Sequence, residues 1–340
     1  MHAGKQYSLK EFILWTRKSI YWMLALAAIP TILYQWGNCK WMTIPWVPVA
    51  MIGTAAAFIV GFKNTQTYNR LWEARQIWGA IVNSSRTWGI MSKDFVVNKN
   101  GHNSPIPPEH LHRIHQELIY RHIAWLTALR YQLREPRQWE NMDKSYNKEY
   151  SAYYTIAEKD GRLPEELQKF LNAQEQEYTL AKKNRATQII SLQSKHLRTL
   201  NERGLLDDLK HVEMENLLKE LYEHQGKSER IKNFPYPRQF ASINLFFIRL
   251  FIILVPFGLL NEFAKVGGLY VWLTIPFSTL VMWVFNAMEQ VGESTANPFE
   301  GSANDVPITS MCRTIEIDLR EMLDEKDLPP ALTPVNNILM

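Results

Sequence analysis

Apolar residues are gathered into four runs, at residues 20–36, 44–62, 244–261 and 269–288, and the chain between them is polar. At a rise of about 1.5 Å per residue, each run is long enough to cross a hydrocarbon core of roughly 30 Å. The first, IYWMLALAAIPTILYQW, is interrupted by Pro30 and preceded by Lys5, Lys10, Arg17 and Lys18. No small-residue cleavage site follows it, and Tyr34 and Trp36 resemble an interfacial belt, so it reads as a retained span rather than a signal peptide. Short linkers join the first run to the second and the third to the fourth. The pattern predicts two membrane hairpins.

Lys and Arg are enriched in cytoplasmic flanks. The 37–43 linker holds only Lys40 and the 262–268 linker only Lys265, whereas the amino-terminal arm and residues 63–240 are rich in both, with Lys63, Arg70 and Arg75 directly after the second run. Both hairpin tips are therefore expected outside, with the amino terminus, central segment and carboxyl tail in the cytoplasm. No Arg/Ser-rich transit segment precedes residue 20, which favours a bacterial inner membrane.

Residues 63–240 lack strand-like alternation. Pro and Gly concentrate at 98–108, Pro136, 161–164, Gly204, Gly226 and 235–237, and between these breaks the chain reads helical. In 113–133 the residues Ile114, Leu118, Ile119, Ile123, Leu126, Leu129 and Leu133 recur at three- and four-residue steps, the mark of one buried helical face. The same period appears in 180–200 and 205–221. Residues 138–160, Tyr-rich and without a period, read as a loop or peripheral insertion and are assigned little function. The expected protein is all-α, in four segments: 1–62, an arm plus the first hairpin; 63–240, a helical cytosolic body; 241–290, the second hairpin; and 291–340, a loop, a helix entered near Pro307, and a tail.

Composition changes this picture little. The 38 Lys and Arg against 34 Asp and Glu leave a net charge of +4, which excludes a strongly basic nucleic-acid binder. Two cysteines, Cys39 and Cys312, make no disulfide framework or zinc module. His110, His112, His115 and His122 lie together, but the other five histidines, His2, His102, His196, His211 and His224, are scattered. A membrane di-iron enzyme needs several His-rich boxes, so exposed helix-surface histidines are the reading and no metal site is expected. No phosphate loop, nucleophile elbow or HExxH sequence is present, and no enzyme site is visible.

Three features remain. Arg249 lies five residues into the third run, where its stem can reach the headgroups, so anchoring or an intersubunit contact is favoured over ion conduction. In the 295–307 loop, Asn297, Glu300, Asn304 and Asp305 place oxygen donors close together. Calcium takes six to eight oxygens, usually including several carboxylates, so the loop is either a weak regulatory cation site or a helix entry capped by Asn304 or Asp305. In the second run, Gly53, Ala57 and Gly61 have the small-xxx-small spacing of close helix packing. Thr54, Phe58 and Phe62 share another face, which around an axis would form an apolar constriction.

Directly after that run the chain reads GFKNTQTYNRLWEARQIWGAIVNSSR at 61–86, and later NPFEGSANDVP at 297–307 followed by MCRTIE at 311–316. These motifs, in this order, resemble the bestrophin-like anion channels, specifically the bacterial and plant-organelle branch, and the resemblance covers most of the chain. It implies a homopentamer around one pore, a neck at Thr54, Phe58 and Phe62, and a lower aperture at Leu209. Thr54 stands where a bulky apolar residue is usual, and its hydroxyl should ease wetting of the upper neck. The calcium clasp of animal members corresponds to 297–305; here Gly301, Ser302, Ala303 and Asn304 replace most of its acidic run, leaving Asp305, so no cofactor is expected. The implied activity is passive passage of monovalent anions such as chloride, with Lys63 below Phe62 as a source of anion preference or a membrane anchor. A monovalent cation channel is the runner-up, and a membrane-anchored scaffold binding a soluble partner is a third reading.

Overall fold

The computed structural model describes residues 1–98 and 106–340; His102 and most of the 98–108 break lie outside them. Among the described residues there are twelve α-helices and no strand, only isolated bridges.

Among the described residues, four helices are long and apolar enough to cross a membrane. The first, α1 (Leu9–Gln35), starts well before the apolar run, because Ser8 and Glu11 form a capping box: the Ser8 hydroxyl accepts from the Glu11 N–H, and the Glu11 carboxylate accepts from the Ser8 N–H at 2.7 Å. Pro30 lies inside this helix without ending it. The second, α2 (Trp46–Asp94), continues far beyond the apolar run as one 49-residue helix. Past residue 62 the uniformly apolar surface gives way to an amphipathic one, whose buried side is Ala74, Ile77, Trp78, Ile81 and Trp88.

The polar body follows. It comprises α3 (Pro108–Arg134), the short helices α4 (Ser145–Tyr150), α5 (Ala157–Asp160), α6 (Leu163–Leu167) and α7 (Ala173–Leu180), and then α8 (Arg185–Glu202) and α9 (Asp208–Asn233). Gly204 ends the α8 turn with φ +72°, as its sequence position predicts. Gly226 does not break α9: no side chain approaches its Cβ position, and the helix runs through it. The apolar face of 113–133 is buried as expected, within α3.

The chain returns to the membrane as α10 (Arg238–Val266), reverses through a 3-10 turn (Gly268–Leu273) that takes the first residues of the fourth run, and descends as α11 (Thr274–Ser294); α12 (Ile308–Met322) closes the body. The segment boundaries read from the sequence at 62/63, 240/241 and 290/291 therefore fall inside the continuous helices α2, α10 and α11.

There are two main cores. In the span region Met23, Val49, Val60, Ile248, Phe251 and Val255 pack together; in the body, Trp78, Trp88, Leu118, Trp125 and Leu129 centre a larger cluster. The Trp88 indole donates to the Leu118 carbonyl at 3.2 Å and that of Trp125 to Gln225 at 2.9 Å, so both rings are buried without an orphaned N–H. α2 contributes to both cores.

Candidate functional site: the exposed face of α2 and the loop beneath the spans

Along the span part of α2, Gly53, Ala56, Val60 and Lys63 face inward, mostly toward α10 and α11. Gly53 is required by that approach: a Cβ there would lie 2.5 Å from the Phe251 ring. The small-residue stripe is not one packing seam, however, since Ala57 is exposed and Gly61 meets nothing. The opposite face presents Thr54, Phe58 and Phe62, with Phe58 77% and Phe62 48% exposed. The Thr54 hydroxyl donates to the Ala50 carbonyl at 3.0 Å, which leaves its oxygen lone pairs facing outward.

Lys63 is not on this face. It is buried and paired with Glu289 of α11, whose other oxygen accepts from Asn244 of α10. This corrects both sequence readings of Lys63, because a charge neutralised inside the bundle neither anchors headgroups nor lines a pathway. Arg70 likewise turns inward and donates to the Ile231 and Phe234 carbonyls at the end of α9. Leu209, at the start of α9, is 80% exposed. Glu213, four residues on, is exposed on the same helical stripe, and so is the uncharged Asn216 one further turn along. Arg249 is exposed, with no hydrogen bond or ion pair among the described residues.

The loop after α11 is built around an internal cation. Asp305 accepts from Arg134 at 2.9 Å, from the Gly301 N–H at 2.6 Å and from the Ser302 hydroxyl at 2.5 Å; Gly301, at φ +96°, supplies the left-handed turn. Glu300 accepts from the Asn141 N–H at 2.8 Å and from Asn297 at 3.1 Å. Burial, with Asp305 adding, pushes its carboxyl well above the usual carboxylate range. Asn297, Glu300 and Asp305 are thus brought together and buried, while Asn304 turns away to accept from the Tyr7 hydroxyl at 3.1 Å and donate to Ser294. Neither Asn304 nor Asp305 caps α12, which begins at Ile308 with Pro307 at its N-cap position and no side-chain cap. Asp305 spends its oxygens on the turn and on Arg134 instead.

Sequence reasoning missed the partners of this loop. Arg134 lies beside Glu158, which pairs with Arg130 at 2.5 Å and accepts from Thr309 at 2.7 Å. Residues 138–160 are a clasp rather than a bystander: the Tyr146 hydroxyl donates to Glu293 and the Tyr154 hydroxyl to the Gly301 carbonyl. One signal was present, since Arg130 interrupts the apolar register of α3 between Leu126 and Leu133. Such a buried cation demands a carboxylate.

The histidine group does not converge. His110 and His112 are exposed, His115 bonds the Val96 carbonyl, and His122 is buried between Trp88 and Trp125 with its Nε2 2.9 Å from the Ser85 hydroxyl. His122 therefore departs from the exposed-surface expectation, and burial pushes its pKa down to about 3. Among the described residues no three His, Cys, Asp or Glu side chains are grouped to hold a metal ion.

Against known proteins, the chain is similar to the voltage-dependent anion channel-forming protein YneE of Salmonella typhi, 25% identical over 94% of this chain and 90% of that one. It is also similar to the voltage-dependent anion channel-forming protein mll4386 of Mesorhizobium japonicum, 23% identical over 93% and 86%. The fold matches a crystal structure of a bacterial bestrophin homolog from Klebsiella pneumoniae, with TM-score 0.72, 24% identity and coverage of 90% of this chain and 98% of that one. Residues 13–321 match the family described as Bacterial/Fungal Bestrophin protein, and the chain belongs to that family.

Proposed function

We propose that the protein is a passive channel for monovalent anions such as chloride, formed by five copies around one axis in a bacterial inner membrane, with amino terminus, body and tail cytoplasmic. Thr54, Phe58 and Phe62 form its neck and Leu209 its lower aperture. One observation carries the reading: within a span, α2 turns two phenylalanines and a threonine outward on a single face while its other face is packed. Repeated around an axis, that face is a hydrophobic constriction that conducts only when wetted. The relatives named as anion-channel-forming proteins support the ion class. The Asp305 carboxylate, already held by Arg134, the Gly301 N–H and the Ser302 hydroxyl, supports operation without calcium.

A cation channel is the second reading, favoured by the Leu209 stripe. Glu213 would form an acidic ring next to the aperture, and acidic rings favour cations. The reversal potential of purified protein in a planar bilayer across a KCl gradient decides between them. A value near the chloride potential is expected, and one near the potassium potential transfers the pore to cations. Phe58→Ala is expected to raise conductance several-fold; unchanged currents from a correctly assembled variant would remove Phe58 from the pore.

A further inference from the structure

Where the start of α1, the 138–160 clasp and the loop after α11 meet, they enclose a cavity of about 330 Å³. Small-molecule sites span roughly 300–1,000 Å³ and combine apolar walls with a few placed polar groups. Here the walls are aromatic, with Tyr7, Phe12 and Trp15 on one side and Tyr150 on the other; the single charged lining residue is Glu11, and no Lys, Arg or His is among them.

The polar groups around it are largely engaged with the protein itself. The Tyr7 hydroxyl donates to Asn304, and Asn304 donates to Ser294. On Glu11, the Oε2 atom takes both Ser8 donors, at 2.7 and 2.8 Å, and no hydrogen bond among the described residues reaches Oε1. The cavity therefore offers aromatic walls, one of them the Tyr7 ring that also packs on His2 with ring centroids 4.2 Å apart, with the Glu11 carboxylate at its solvent-facing rim.

We propose that this cavity binds a small organic ammonium ion with a compact apolar body, held by the faces of Tyr7, Phe12, Trp15 and Tyr150 and by the Glu11 carboxylate. The negative faces of aromatic rings attract a cation, most strongly where water is excluded. The same lining disfavours the alternatives. An anion would meet a carboxylate and no cationic donor, and a divalent metal would find one carboxylate where it needs several oxygens. The apolar walls match the alkyl groups around a nitrogen. A bound ligand would brace α1 against α11 and α4, because Phe12 already packs on Trp283 of α11 with ring centroids 5.4 Å apart and Trp15 on Tyr146 of α4 at 5.8 Å. The site does not depend on which ion the channel carries.

The test is calorimetric titration of the full-length assembled protein in nanodiscs with choline and with its uncharged isostere 3,3-dimethyl-1-butanol. Choline is expected to bind saturably and at least about tenfold more tightly than the isostere. Glu11→Gln keeps a side-chain oxygen for the Ser8 cap and is expected to lower choline affinity about fivefold or more while leaving the isostere unchanged. Tyr150→Leu changes the wall outside α1 and is expected to weaken choline binding without disturbing the capping box. Choline affinity that falls in phosphatidylethanolamine discs relative to phosphatidylglycerol discs assigns the ammonium to a lipid headgroup; equal affinity assigns it to a soluble amine. Equal binding of choline and isostere, choline affinity untouched by both substitutions, or no binding by assembled protein overturns the proposal.

Discussion

His122 shows how a single buried side chain adds to the acid sensitivity of the body. Held between two indoles, it stays neutral in the fold with a pKa of about 3 against an ordinary 6.5. Between these values the unfolded chain binds the extra proton, so the His122 contribution is whole above pH 6.5 and is lost as pH falls toward 3, by up to about 1.4 kcal/mol per pH unit. His196, depressed to about 4 chiefly by burial and then by Arg121, acts in the same direction. Unfolding midpoints measured between about pH 7 and 4 are expected to fall less steeply in His122→Gln than in the natural protein. The cluster at His110, His112, His115 and His122 was legible in the sequence, but their divergence was not, because which face each occupies depends on the tryptophans of α2 and α3 that pack there. The Arg134–Asp305 pair was hidden for a different reason. Its members are 171 residues apart, and Arg134 follows Leu133 at the end of the apolar stripe, where a charge is not conspicuous.

At the level of the helix, the apolar runs located the spans but not the ends of the helices that carry them. A run of apolar residues records the thickness of the bilayer, whereas a helix ends where capping, a glycine or a proline ends it. Hence α1 begins at its Ser8 cap, and α2 continues where only the character of its surface changes. The contact between α2 and α10 is set by one missing side chain, since Gly53 lets the Phe251 ring touch the backbone. Gly53→Val is expected to force the helices apart and cost about 1–3 kcal/mol, lowering the thermal midpoint in detergent. Adding Phe251→Leu in the same chain should restore part of it. No change in the single variant would mean that the ring swings aside freely.

For the whole molecule, the proposed neck and aperture lie on different helices, α2 and α9, that pack against each other in the body. An ion crossing a pentamer would meet them in series. Relieving one restriction then leaves the other limiting, so Phe58→Ala and Leu209→Ala are each expected to raise single-channel conductance less than the two together, with a more than additive gain in the double variant. Strictly additive gains would argue that the two residues do not share one pathway. The resemblance supplied this arrangement, and it could not have come from periodicity, which assigns faces to helices but says nothing about the axis they surround.

The uninterrupted α2 has a mechanical consequence. At 1.5 Å per residue its 49 residues make a rod about 74 Å long, more than twice the thickness of the hydrocarbon core. With the body core at Trp88 taken as a pivot, Phe58 lies about 45 Å along the rod. A tilt of roughly 5° at that pivot would swing the phenylalanine ring by about 4 Å. In the proposed pentamer α2 would act as a lever arm, and a modest push on the cytoplasmic helices would be geared up at the proposed neck.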